Sequence, residues 1–102
     1  MVQITERANT ELRRLLTDHF ARPRQGVRLH LNQVGALAMT IDVPHPGDSI
    51  IRRDNQLVLI MDGRLGARLA LRVLDFAATS GGGRGFRLGW QASAAERLAD
   101  HE

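Results

Sequence analysis

The chain contains no cysteine, no lysine and no tyrosine. Without a thiol, disulfides, thiolate catalysis, zinc fingers and cysteine-ligated iron–sulfur clusters are excluded within it. Without lysine, all 14 cationic side chains are arginine, and 11 carboxylates leave a formal net charge of +3. The isoelectric point of about 11.2 reflects this missing chemistry: almost nothing titrates between histidine and the guanidinium group. It is therefore weak evidence for a nucleic-acid partner, and nucleic acid is not the expected ligand. No apolar run approaches the ~20 residues of a membrane helix. The first residues, charged every few positions, lack the apolar centre of a signal peptide. A cytoplasmic protein without membrane contact is the expectation.

What is present is ordinary in bulk: 43% hydrophobic and 25% charged residues over 102 positions, the make-up of one folded domain. Its core is expected over about residues 2–90, with a tail over 91–102. Val2-Gln3-Ile4 reads as a short strand or lead-in. Thr5 is a good helix N-cap, and Glu6 suits the positive end of the helix dipole. Ala8, Leu12, Leu15, Leu16 and Phe20 share one helical face, and Pro23 marks the stop.

From Gly26 the period becomes two. Val27, Leu29 and Leu31 alternate with Arg28 and His30 in a half-buried strand. Residues Asn32 to Gly35 form a turn. A second strand over Ala36 to Val43 carries Leu37, Met39, Ile41 and Val43 on one side. A proline–glycine loop through Asp48 follows, then strands Ser49 to Arg53 and Leu57 to Met61, joined at Asp54-Asn55 as a hairpin.

The stretch from Asp62 to Ala78 fits two patterns. As a helix it aligns Leu65, Leu69, Val73 and Phe76; as a strand, Arg72 to Phe76 is a buried segment. Gly81-Gly82-Gly83 and Gly85 mark a loop, Phe86 to Trp90 a final strand, and Ser93 to Glu96 a capping box opening a short tail helix. One helix followed by several short strands indicates a β-rich α+β fold.

Few residues point to chemistry. The glycine run lacks the Gly-Lys-Ser/Thr of a P-loop and the spacing of a dinucleotide fingerprint, so it reads first as a turn requiring positive φ. Arg64, Arg68 and Arg72, with Arg84 and Arg87, are candidates for gripping an anionic ligand; otherwise they form a solvated face. His45, near Asp42 and Asp48, offers the one hint of metal ligation, and surface histidine is the simpler reading. Ser80 and Ser93 lack the Gly-x-Ser-x-Gly context of a hydrolase nucleophile. No catalytic, cofactor or metal residue is assigned, and the protein is not expected to be an enzyme.

The order of these pieces resembles the HesB-like family, the A-type carriers of iron–sulfur cluster assembly. The similarity is carried by Val2 to Ala8, by Gly26-Val27-Arg28-Leu29-His30-Leu31, and by Asp42-Val43-Pro44 with Gly47-Asp48. Further along it is carried by Leu57 to Asp62, by Val73-Leu74-Asp75-Phe76, and by Gly83-Arg84-Gly85-Phe86-Arg87. The resemblance implies mixed β-sheets with an N-terminal helix packed against them, a helical turn after Asp62 and then a strand through Asp75, which would break the arginine stripe. It also implies self-association.

The family's carriers place one cysteine in a loop after the first strand and two near the C-terminus. Here the loop reads Asn32-Gln33-Val34-Gly35 and the end Gln91-Ala92-Ser93-Ala94, without a thiol. Amides are poor substitutes for thiolates. No ligand role carries over, and no cofactor is expected. What remains is a cysteine-free binding or regulatory partner related to iron–sulfur cluster biogenesis, meeting a second copy of itself or an iron–sulfur assembly protein. Its candidate interaction surface is Asn32, Gln33, Gly35, Gly81, Gly82, Gly83 and Arg84. The alternative is an arginine-based module for an anionic ligand or nucleic acid.

Overall fold

A computed structural model describes residues 1–91. The expected tail helix from Ser93 lies outside the described residues. In chain order the elements are β1 (Gln3–Ile4), α1 (Glu6–Asp18), β2 (Gly26–Leu31), β3 (Leu37–Asp42), β4 (Ser49–Arg53), β5 (Gln56–Met61), α2 (Gly63–Arg68), β6 (Arg72–Ala78) and β7 (Arg84–Trp90).

The strands form two sheets. A three-stranded sheet has the order β1-β6-β7, and a four-stranded sheet the order β3-β2-β5-β4. The hairpins β2–β3, β4–β5 and β6–β7 are antiparallel, whereas β1–β6 and β2–β5 are parallel. This is the expected β-rich α+β architecture with an N-terminal helix. Strand β5 is its centre: every residue from Leu57 to Met61 is buried. A continuous apolar run rather than an alternating one is the mark of a strand covered on both faces.

Helix α1 begins as expected. The Thr5 hydroxyl accepts a hydrogen bond from the Ala8 N–H at 3.2 Å, satisfying one of the orphan donors of the first turn. Ala8, Leu12 and Leu16 are buried. The end differs from expectation. The helix stops at Asp18 with His19 as C-cap, well before Pro23. Phe20 is not part of the apolar face: it lies beyond the helix with φ of 53° and is 90% exposed. The Phe20 N–H donates to Thr17 O and the Ala21 N–H to Leu16 O. These two bonds make a Schellman cap, which needs a left-handed residue at Phe20's position. Helical spacing alone could not reveal that the cap overrides the stripe.

The ambiguous segment resolves as the family resemblance implied. Asp62 Oδ1 accepts from the Leu65 N–H at 2.8 Å and caps the short helix α2. Arg72 to Ala78 then runs as β6 between β1 and β7. In the β4–β5 hairpin, Asp54 and Asn55 have φ of 51° and 65°, the positive values of a two-residue primed turn. In the second strand, Leu37, Met39 and Ile41 are half-buried, but Val43 falls beyond β3 and is exposed.

Phe20 occupies a conformation that glycine adopts without steric cost and buries almost nothing. Phe20→Gly is expected to raise the unfolding free energy by about 1 kcal/mol. Urea denaturation measures this, and a midpoint at or below the parent's contradicts it.

Candidate functional site

The first expected loop is a self-contained turn. Asn32 Oδ1 accepts from the N–H groups of Val34 and Ala36 at 3.0 and 2.9 Å. The Gly35 N–H donates to Asn32 O, and Gly35 has φ of 82°. The Asn32 amide oxygen is thus occupied with ordering the β2–β3 hairpin. Gln33 lies on the same exposed loop.

The glycine run is also a turn, now between β6 and β7. Thr79 N–H donates to Gly83 O at 2.8 Å and Gly82 N–H to Thr79 O at 3.1 Å. Only Gly82 of Gly81, Gly82 and Gly83 has a positive φ, 86°, so one glycine of the three answers a backbone demand. Arg84 leaves this turn with its guanidinium 5.1 Å from the Phe76 ring centroid.

The arginines divide among elements. Arg64 and Arg68 stand on α2 and Arg72 opens β6, so no single helical stripe exists. The fold nevertheless brings Arg68, Arg72 and Arg87 to one cleft of about 490 Å³, with Gly35 at its margin. Arg72 is held in place: its Nε donates to Gly89 O at 2.9 Å and its Nη2 to Leu88 O at 3.0 Å. Its guanidinium also lies 4.4 Å from the Trp90 ring centroid, a cation–π contact. Of the expected interaction surface, the cleft takes Gly35 and neither the glycine turn nor Arg84.

Arg28 corrects the strand reading. Its position opposite Thr40 in β3 alternates with core residues, which suggests a solvent-facing side chain, yet it is only 7% exposed. Arg28 Nε donates to Asp42 Oδ2 and Nη2 to Asp48 Oδ2, each at 2.6 Å. Nη2 also donates to Val43 O at 3.0 Å. The His45 N–H donates to the same Asp48 oxygen at 2.7 Å. The Arg28 guanidinium and this backbone N–H hold the Asp48 carboxyl below its usual range. The Val43 N–H and Arg28 do the same to Asp42. The two carboxylates beside His45 thus serve an internal cation. Among the described residues, no group of three or more His, Asp or Glu is arranged to hold a metal ion. The signal was present in the register: Asp42 is the diagonal cross-strand neighbour of Arg28.

A second carboxylate cluster was also missed. Asp75 Oδ1 accepts from the Thr5 hydroxyl at 2.6 Å, and its two oxygens accept from Arg7 at 3.0 and 2.6 Å. The Phe76 N–H adds a further bond. The Arg7 guanidinium and then the Thr5 hydroxyl hold this carboxyl far below its usual range.

Solved structures of similar architecture include those of three proteins. The chain is similar to SufA of Escherichia coli, a protein involved in biosynthesis of iron–sulfur clusters. The TM-score is 0.59 at 20% identity, over 87% of this chain and 84% of that one. It is similar to IscA with a 2Fe–2S cluster, at TM-score 0.59 and 20% identity over 88% and 85% of the two chains. It is also similar to a protein from Aquifex aeolicus solved by NMR in solution, at TM-score 0.59 and 17% identity over 86% and 89%. These likenesses show the HesB-like, A-type carrier fold. No family model and no curated protein matches the chain. The residues do not suit a cluster. Thiols are absent, and in the loop after β2 the Asn32 amide oxygen is spent on its own turn.

Asp48 is almost fully enclosed, with its side chain 7% exposed. Arg28→Ala leaves it without its cation and is expected to cost about 2–3 kcal/mol, less than a deeply buried pair because Asp42 still reaches water. Lowered carboxyl pKa values stabilise the fold above the unfolded carboxylate range, and that contribution is lost as pH falls through and below it. Stability is therefore expected to drop as pH falls below about 4, with a shallower acid limb in Arg28→Ala. Thermal unfolding across pH measures both, and an acid limb as steep as the parent's contradicts the assignment.

Proposed function

We propose that this chain is a non-enzymatic binding or regulatory protein of iron–sulfur cluster biogenesis, one that uses the carrier scaffold without ligating a cluster through thiolates. The observation that carries this reading is the shared architecture with SufA and IscA in a chain with no cysteine at any position. A cluster needs thiolates or comparable soft ligands. The polar side chains of the first loop are amides, and the Asn32 amide oxygen is engaged. What such a scaffold retains is shape, and shape serves recognition. Its partners are then a second copy of itself or a cluster-bearing assembly protein, met in the cytoplasm.

Two measurements test this. Anaerobic incubation with ferrous iron and sulfide is expected to leave the purified protein colourless, and a stable brown holo-protein overturns the reading. Size-exclusion chromatography is expected to show a self-complex or a complex with a cluster-loaded A-type carrier. Monomeric elution under both conditions removes the partner assignment.

A further inference from the structure

Two adjoining cavities on the surface, which share the lining residues Leu31 and Arg68, make up a groove. One part, about 440 Å³, includes His30, Arg64 and Leu65. The other, about 490 Å³, runs between Leu37 at the start of β3 and Phe86 to Leu88 in β7. Strand β7, which lines the larger cavity with Phe86, Arg87 and Leu88, is the edge of its sheet and has one side without a ladder among the described residues. An open edge is a template for an added extended chain.

The groove has cationic walls and an apolar floor. Arg64, Arg68, Arg72 and Arg87 line it. The one carboxylate among the lining residues, Asp62, is engaged as the cap of α2. Arg64 and Arg68 form no ion pair among the described residues. Arg87 is 3.5 Å from Asp75 and remains largely exposed. Arg72 is already immobilised by two carbonyls and Trp90, so little of its rotamer entropy remains to be lost on binding. The floor is aliphatic: Leu31, Leu37, Leu69 and Leu88, with Phe86 beside them.

This chemistry selects among anions. Inorganic phosphate would use the walls and leave the floor uncovered. Single-stranded nucleic acid wants a run of free stacking platforms; Phe86 has its ring packed on Phe76 at 4.9 Å between centroids, and Trp90 has Arg72 over its ring. We propose that the groove between β3 and β7 binds an extended acidic segment of a protein partner, one whose carboxylates meet Arg64, Arg68, Arg72 and Arg87 and whose leucine-type side chains cover the apolar floor. The proposal rests on the binding-protein half of the function above and is independent of any link to iron–sulfur clusters.

Trp90, the single tryptophan of the chain, is 58% exposed and stacked on Arg72, so its emission reports on the groove. The full chain is titrated with a fluorescein-labelled peptide of alternating Leu and Glu, read by anisotropy, and with its unlabelled form, read by Trp90 emission. The Leu/Gln peptide, single-stranded DNA and inorganic pyrophosphate are the comparison ligands. The acidic peptide is expected to bind at low salt and to weaken as salt rises, with the Leu/Gln peptide at least tenfold weaker. Replacing Arg68→Gln and Arg87→Gln together should weaken it about tenfold, the combined worth of two partly exposed charge pairs. Arg24→Gln with Arg53→Gln, an equal charge change away from the groove, should leave it unchanged. Absence of peptide binding at low salt, equal losses in the two double variants, or tighter binding of DNA or pyrophosphate overturns the proposal. None of these outcomes bears on the colour or elution tests of the function itself.

Discussion

Helix α1 is the element on which the arrangement of the two sheets depends. It contacts β6 of the three-stranded sheet and β2 and β5 of the four-stranded sheet. Ala8, Leu12 and Leu16 join Val27, Leu29, Leu59 and Leu74 in one hydrophobic cluster that spans both. Burying one apolar stripe against two sheets removes the exposed face of each at once. The angle of entry is set at its N-terminus. Thr5 caps the helix through Ala8 and donates to Asp75 on β6, while its own N–H reaches Leu74 O. Arg7 closes on the same carboxylate. The helix start is thereby bolted to the strand it packs upon.

The fold shows a division of labour among its charges. Carboxylates that a sequence pattern could offer to a metal or to catalysis are bound to arginines: Asp42 and Asp48 to Arg28, Asp75 to Arg7. These are structural pairs, each with further hydrogen bonds that offset the cost of removing a charge from water. Two of the arginines without an ion pair among the described residues, Arg64 and Arg68 on α2, lie with Arg72 and Arg87 along one groove. A net charge of only +3 thus conceals a local concentration of positive charge, because four arginines line the groove beside a single carboxylate, Asp62.

Likeness to SufA and IscA concerns the scaffold, and the scaffold does not determine what it does. The elements that define it here are those that any sequence on this backbone must satisfy: a capped first helix, a doubly covered β5, tight turns at Asp54-Asn55 and at Gly82. None of them depends on a thiol. The loop that follows β2 is an asparagine-ordered hairpin turn, and the neighbouring groove offers charge and apolar surface.

Much of the fold was legible in the chain itself. The cap at Thr5, the period-two run from Gly26 to Leu31, the Asp54-Asn55 turn and the unbroken run Leu57 to Met61 are local signals. They arise from backbone geometry and from apolar periodicity, which a single segment carries complete. The zero for cysteine is likewise decisive without coordinates, since no fold can supply a missing thiolate. What needed the tertiary structure is everything that depends on a partner distant in sequence. Helix and strand were equally compatible with Asp62 to Ala78 until β1 and β7 flanked it. Arg28 read as a surface residue because the carboxylates that enclose it come from another strand and a loop. The groove of Arg68, Arg72 and Arg87 exists only because α2 and two edge strands converge. Local physics writes the elements into the sequence; burial and charge pairing are properties of neighbours, and only folding chooses them.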